Sequence, residues 1–149
     1  MDRQAGEATG MYEPGARTLA QQLGDEAEER AARYFEENGF EVLERKYKSK
    51  SKLGEVDLIV AKGLLLAFVE VRYRKSLAFG RPEETIRTDK RRKVILAAYE
   101  WAAKQKLLDK RFIRFDVVAV MGRGERAQVV HLEDAFDAEL PRLAQMPFL

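Results

Sequence analysis

Residues 54–74 read GEVDLIVAKGLLLAFVEVRYR, and this stretch decides the fold that the sequence predicts. Two runs rich in Val, Ile, Leu and Phe flank the dipeptide Lys62-Gly63. Such a pattern is typical of two antiparallel strands joined by a tight, glycine-containing turn. We therefore expect a β-hairpin here, with four charged residues interrupting its apolar runs.

The register of the hairpin determines where those charges lie. With a two-residue turn at Lys62-Gly63, Glu55 faces Glu70, and Asp57 faces Phe68, diagonal to Glu70. Facing residues and residues two apart share one face of a sheet. Four charged side chains are therefore predicted to converge on one face: Glu55, Asp57, Glu70 and Arg72. A turn longer by one residue would send the two acidic sets to opposite faces.

Carboxylates clustered on a sheet are unfavourable unless another group compensates their charge. A hard divalent cation, which takes oxygen ligands, is one compensation. A solvated sheet face is the other, because ion-pair networks also gather charged residues. In that arrangement Glu55 and Glu70 pair with three basic neighbours: Lys62, Arg72 and Arg74. The pattern alone leaves both explanations open.

The hairpin also resembles a known catalytic motif. The spacing Glu55-Val-Asp57, then Glu70-Val-Arg72, is similar to that of the restriction-endonuclease-like, PD-(D/E)XK nucleases, a superfamily that includes archaeal Holliday-junction resolvases. The longer stretch GEVDLIVAKGLLLAFVEVRYRKSLAFGRPEE resembles the bacterial YraN family, which is assigned to that superfamily. The likeness extends over about residues 24–136. It implies an α/β fold, a restriction-endonuclease-like three-layer sandwich with a mixed central sheet flanked by helices.

The resemblance further implies a nuclease dependent on Mg²⁺ or Mn²⁺, acting on DNA or structured nucleic acid, with branched DNA as one candidate substrate. DNA is expected rather than RNA. Asp57 and Glu70 would hold the metal, with the Val71 carbonyl as a further ligand. Arg72 takes the place of the superfamily's usual lysine and cannot act as a general base. Enzymatic activity is therefore left open, together with two alternatives: a non-catalytic nucleic-acid-binding protein with this fold, and a partner-binding protein that uses the charged hairpin face.

Glu28 completes the predicted catalytic set of Glu28, Asp57, Glu70 and Arg72. It lies on a helix predicted over residues 25–38, at the edge of the apolar stripe. In the resembled nucleases a helix glutamate precedes a Gly-Phe pair by eleven residues, and Glu28 stands in that relation to Gly39-Phe40. By the residues alone, Glu28 is better explained as a first-turn carboxylate favoured by the helix dipole.

Basic residues are concentrated beside the hairpin and at the start of a second helix, predicted over residues 88–107. Cations near a helix N-terminus oppose its dipole, whereas basic side chains combined with exposed amides suit phosphate. The predicted nucleic-acid-binding residues are Lys48, Lys50, Lys52, Arg74, Lys90, Arg91, Arg92 and Lys93. Ordinary solvated, solubilising surfaces are the alternative explanation for both groups.

The rest of the chain limits the choices. The sequence contains no cysteine and one histidine, which excludes disulfides and argues against thiolate or histidine-rich metal sites. Neither a membrane-length apolar run nor a signal peptide is visible, so a cytoplasmic location without membrane contact is expected. We predict a flexible extension over residues 1–17, one domain over 18–140 and a tail over 141–149. A homodimer is left open.

The remaining elements complete the predicted α/β order. Strands are expected over residues 40–47, 111–121 and 128–132, the second buried centrally and the third at an edge. A short acidic helix is predicted over residues 133–140. Trp101 is assigned to the core, and His131 to a surface or hydrogen-bonded position rather than a catalytic one.

Overall fold

A computed structural model describes residues 16–50, 54–75 and 88–136. Its elements are α1 (Leu19–Glu37), β1 (Glu41–Lys48), β2 (Glu55–Lys62), β3 (Leu65–Arg74), α2 (Thr88–Lys104), β4 (Phe112–Met121), a 3-10 turn (Gly124–Arg126) and β5 (Gln128–Leu132). Residues 1–15 and 137–149, which include most of the predicted extension and the whole tail, lie outside this description. Within it, neither helix has the length and hydrophobicity that a membrane crossing requires.

The five strands form one mixed sheet in the order β1-β2-β3-β4-β5. β1, β2 and β3 pair antiparallel, β3 and β4 pair parallel, and β4 and β5 pair antiparallel. Parallel neighbours need a crossover connection, and the segment containing α2 supplies it between β3 and β4. The predicted mixed sheet is confirmed, and so are the interior β4 and the short edge strand β5.

The two helices cover opposite faces of the sheet. α1 packs Ala27, Ala31 and Phe35 against a core that includes Leu58 and Val69. α2 contributes Val94, Ala98 and Trp101 to a second core with Phe68 and Phe115. Trp101 is 6% exposed, as predicted for a core residue. The arrangement is a helix–sheet–helix sandwich, which confirms the predicted α/β class.

Two helix predictions need correction. α1 begins at Leu19, earlier than predicted, because Thr18 caps it: Gln21 N–H donates to the Thr18 hydroxyl, and the Gln21 side chain accepts from Thr18 N–H. This reciprocal capping box makes Asp25 an interior helix residue rather than the cap. Residues 133–136 form a turn and a bend instead of starting a helix, because Phe136 enters the α2-side core.

The hairpin register also differs from the prediction. Lys62 pairs with Leu65, so the turn residues are Gly63 and Leu64 rather than Lys62 and Gly63. Gly63 supplies the positive φ of +58° at the first turn position, and Leu64 is 61% exposed. The turn moves by one residue, so the facing pairs change, but the paired residues 58–62 and 65–69 keep their predicted faces.

Candidate active site

The hairpin strands stop pairing where the acidic residues begin. Leu58–Val69 is the last β2–β3 pair, which leaves Asp57 and Glu70 next along the two strands. Asp57 accepts a hydrogen bond from Val71 N–H at Oδ2, at 2.8 Å. The Asp57 side chain thus accepts the hydrogen bond of a β3 backbone N–H at the point where the pairing of β2 with β3 ends.

At the same point, the side chains of β2 stop alternating regularly between the two faces of the sheet. Leu58 and Val60 lie in the α1-side core, whereas Val56 packs with Ile59 and Ala61 in the α2-side core. Residues of equal parity should share one side of a regular strand. The break between Val56 and Leu58 therefore centres on Asp57, whose carboxylate is directed along the sheet toward β3.

Asp57 and Glu70, which we call the acid pair, interact directly. Burial and then the negative charge of Glu70 raise the pKa of Asp57 to about 7, against the opposing effects of the Val71 hydrogen bond and the Lys90 charge. Glu70 is 2% exposed, and its Oε1 accepts no hydrogen bond within the described part of the chain. Two carboxyl groups are thus held together, and one oxygen of Glu70 has no donor in the described part of the chain.

Two cations lie against the other oxygen of Glu70. Lys90 Nζ is 3.1 Å from Oε2, and Arg72 Nη2 is 3.8 Å from the same atom. Arg72 Nε is buried and donates to no acceptor in the described segments. The sequence places Arg72 here by its two-residue spacing from Glu70, whereas Lys90 arrives from α2, which belongs to the crossover connection.

Glu28 approaches from the opposite face of the sheet. Its side chain is 19% exposed, and Oε1 contacts Lys46 Nζ at 2.6 Å. Burial raises the pKa of Glu28 above its ordinary value; the Lys46 hydrogen bond opposes this rise, and the Asp57 charge adds to it. Lys46, at φ +51°, is a residue that sequence reasoning missed, because its strand position alone does not indicate that its ammonium pairs with Glu28.

The remaining predicted ligands have these positions. Val71, whose carbonyl is a predicted metal ligand, lies beside the acid pair and donates its N–H to Asp57. Glu55, which the predicted register places on the same face as Asp57 and Glu70, is exposed at the start of β2. Within residues 16–50, 54–75 and 88–136, no three Asp, Glu, His or Cys side chains are grouped closely enough to hold a metal together.

An open cleft of about 420 Å³ adjoins the acid pair. Three lysines and one glutamate are its charged lining residues, and we call it the basic cleft: Lys48, Ser49, Gly54, Glu55, Lys90, Lys93 and Val94. Lys90 belongs to both sites, since it contacts Glu70 and lines the cleft. The Lys90 side chain thus connects the acid pair with the basic cleft.

Other predicted basic residues are distributed around this cleft in different settings. Lys50 and Arg92 are exposed. The Arg91 guanidinium lies over the Phe136 ring, 5.6 Å from its centroid, and Arg74 donates to the Tyr73 carbonyl. Lys52 falls outside the described residues. Of the eight predicted nucleic-acid-binding residues, the structure brings three together in one cleft: Lys48, Lys90 and Lys93.

Gly54 explains how α2 comes so close to β2. A Cβ added at this residue would lie 2.7 Å from the Lys93 carbonyl oxygen, nearer than side-chain atoms are normally found. Because a backbone atom occupies that space, only glycine lets the start of α2 approach the hairpin. The motif residue Gly54 therefore positions Lys90 and Lys93, a role that the local sequence does not reveal.

His131 belongs to a separate buried network. Its Nε2 is 2.7 Å from Asp116 Oδ2, and its Nδ1 is 3.0 Å from the Tyr34 hydroxyl. Asp116 is fully buried and also accepts two hydrogen bonds from Arg114. His131 therefore has the hydrogen-bonded role that the sequence predicts, linking β5 to β4 and α1.

Comparison with known proteins identifies relatives of this chain. The family model described as "Uncharacterised protein family UPF0102" matches residues 27–120. A UPF0102 protein of Rhodococcus opacus is 44% identical over 115 residues, which are 76% of this chain and 95% of that relative. A UPF0102 protein of Anaeromyxobacter dehalogenans is 47% identical over 120 residues, 80% of this chain and 87% of that relative. The matched segment includes Glu28, the acid pair and Lys90.

Proposed function

This chain belongs to the UPF0102 family, the family of the YraN proteins, and from its own residues we propose that it is a metal-dependent nuclease with a restriction-endonuclease-like fold. The names of its relatives state no activity. The observation that carries the proposal is the acid pair, two interacting carboxyl groups that directly follow the last paired residues of the β2–β3 hairpin. The adjoining basic cleft supports nucleic acid as the substrate.

The acid pair has the chemistry that Mg²⁺ or Mn²⁺ requires. Mg²⁺ binds through one or two carboxylates, keeps several waters and takes its remaining ligands from substrate phosphates. Asp57 and Glu70 match this donor set, and the pair does not need a third carboxylate. The buried Glu70 Oε1 accepts no hydrogen bond in the described segments, which leaves it available as a ligand. The raised pKa of Asp57 indicates that the two groups repel one another without a cation.

The surrounding residues divide the remaining tasks. Bound metal lowers the pKa of a coordinated water and neutralises charge on the scissile phosphate. Arg72, always protonated, stabilises negative charge beside Glu70. Glu28 forms an ion pair with Lys46 and is close enough to Asp57 for the two carboxylates to interact. It orients water from the α1 side. Lys48 and Lys93 hold the sugar–phosphate backbone in the cleft, and DNA is the preferred polymer.

A nuclease assay tests this proposal. Purified protein is incubated with branched, flapped and single-stranded DNA in Mg²⁺ or Mn²⁺, beside Asp57→Asn and Glu70→Gln. Because metal contributes several kcal/mol to such reactions, each variant should lose at least about a hundredfold in rate. Asp109→Asn, an exposed aspartate in the loop beyond α2, is the matched control and should cleave normally. Cleavage that survives both acid-pair variants would contradict the proposal.

One observation favours a second function, nucleic-acid binding without cleavage. Arg72 stands where the resembled nucleases have lysine, and an arginine cannot accept the proton of an attacking water. In that case the same DNA substrates bind with strong salt dependence but stay intact in every metal. Binding by the wild-type protein without metal-dependent nicking would favour this function over catalysis.

A further inference from the structure

Lys90 is the side chain shared by the acid pair and the basic cleft. Its Nζ lies 3.1 Å from Glu70 Oε2, and its side chain is 37% exposed, whereas Glu70 is 2% exposed. Its charge also lowers the pKa of Asp57, so it acts on both carboxyl groups. The ammonium group of Lys90 is therefore the counter-ion of the acid pair, and the Lys90 side chain also lines the basic cleft.

We propose, on the premise of the metal-dependent function above, that Lys90 is an exchangeable counter-ion that couples metal binding to nucleic-acid binding. Without metal, its ammonium compensates Glu70. When a divalent cation binds the acid pair, ammonium and metal become like charges at one carboxylate group and repel each other. Lys90 then turns into the basic cleft, where a phosphate of the nucleic acid becomes its partner.

The position of Lys90 suits this exchange better than that of its neighbours. Arg72 is farther from Glu70 Oε2, at 3.8 Å. It lies two residues beyond Glu70 on β3 and does not line the cleft. Lys93 lines the cleft one helical turn from Lys90 and is exposed. A lysine is also suited to changing partners, because its flexible stem carries a compact charge with freely rotating donors.

Reciprocal coupling follows from this exchange. A metal that frees Lys90 must strengthen nucleic-acid binding, and nucleic acid must strengthen metal binding by the same factor. Couplings of this kind are typically at least about fivefold. Removing the ammonium should separate the two effects: metal should bind the free protein more tightly, while its influence on nucleic-acid affinity should decrease.

The experiment compares the wild-type protein with Lys90→Met, Lys90→Arg and Lys93→Met. Calorimetry measures Ca²⁺ and Mg²⁺ binding to each protein alone, and fluorescence anisotropy measures affinity for a labelled DNA duplex with EDTA or with Ca²⁺. We expect Lys90→Met to bind metal at least about fivefold more tightly than the wild type and to show weaker coupling. Lys90→Arg should keep the coupling, since its charge is retained. Lys93→Met should weaken DNA binding equally with and without metal.

Each contrary result has a distinct meaning. Unchanged metal affinity in Lys90→Met would overturn the counter-ion exchange while leaving the nuclease proposal intact. Equal coupling in the wild type and a folded Lys90→Met, checked by circular dichroism, would overturn it as well. Absence of metal binding in all four proteins would overturn both this inference and the proposed function.

Discussion

Asp57 is the residue at which stability and proposed function oppose each other. Asp57 is partly buried beside Glu70, and its pKa is raised from 3.8 to about 7. A raised carboxyl pKa means that the folded state binds protons more tightly than the unfolded state between these two values. The cost is absent below pH ~4, grows as the pH rises and is complete above about pH 7. A chain selected for stability alone would not retain this aspartate.

Asp57→Asn should therefore stabilise the metal-free protein at high pH. The shift of about three pKa units corresponds to at most about 4 kcal/mol. We expect the variant to exceed the wild type in unfolding free energy by about 1–4 kcal/mol at pH 8, and by almost nothing at pH 4. Urea denaturation in EDTA across this pH range measures the difference.

Asp109→Asn provides the control for this measurement, because Asp109 is exposed. Its stability should follow that of the wild type at every pH. Added Mg²⁺ should stabilise the wild type by mass action but not Asp57→Asn. An Asp57→Asn protein less stable than the wild type at pH 8 would contradict the repulsion within the acid pair.

At the scale of elements, the site depends on how α2 is docked against the hairpin. Gly54 permits close approach to the Lys93 carbonyl, and the Tyr47 hydroxyl donates to the buried Glu100 of α2 at 2.6 Å. Trp101 packs into the core with Phe68, and its Nε1 donates to Glu44. These contacts orient the helix so that its first turns bring Lys90 and Lys93 to the cleft.

Gly54→Ala should disturb this docking. The added Cβ would meet a backbone oxygen, so α2 must shift, at a cost of about 1–3 kcal/mol in unfolding free energy. Weaker DNA binding should accompany the loss, because the cleft lysines move with the helix. Thermal denaturation and anisotropy measure the two effects.

Gly24→Ala is a matched control for that substitution. Gly24 lies within α1, and a Cβ there meets no atom within 4 Å. Alanine in a helix interior should stabilise the protein by about 0.5–1 kcal/mol and leave DNA binding unchanged. If Gly54→Ala behaved like Gly24→Ala, the close approach of α2 would not matter for the cleft.

At the scale of the whole molecule, the distribution of charge matters more than its sum. The chain carries 27 basic and 25 acidic side chains, a net charge of only +2. The acids of α1 form ion pairs with Arg33, Arg45 and Arg123, among others, whereas lysines from β1 and α2 meet in one cleft. A nearly neutral protein can thus present a cluster of lysines to a polyanion.

Charge reversal in the cleft should change the salt dependence of DNA binding. If Lys48 and Lys93 each contact a phosphate, the double variant Lys48→Glu/Lys93→Glu should lower the slope of log Kd against log[salt] by about 2. Anisotropy titrations between about 50 and 200 mM KCl measure the slope. Lys106→Glu/Lys110→Glu, an equal charge change at exposed positions beyond the end of α2, should retain the wild-type slope. Equal losses in both variants would indicate a general charge effect instead of a specific cleft.

Much of this organisation was predictable because it depends on neighbours in the chain. Apolar runs and a glycine turn indicated the hairpin, helical spacing put Trp101 in the core, and the continuous apolar run of β4 indicated an interior strand. The turn was misplaced by one residue because leucine at position 64 does not look like a turn residue. Within the paired residues 58–62 and 65–69 the predicted faces are nevertheless correct, since side chains alternate with a period of two.

The sequence by itself determined the layers of the sandwich and which acids are candidates for the site. Tertiary structure decided that Asp57 leaves the regular alternation, that Lys46 pairs with Glu28, and that Lys90 reaches Glu70. The physical reason is distance along the chain. Periodicity and turn preference act over a few residues, whereas these contacts depend on how closely whole helices pack on the sheet, and at Gly54 a single missing Cβ sets that distance for α2.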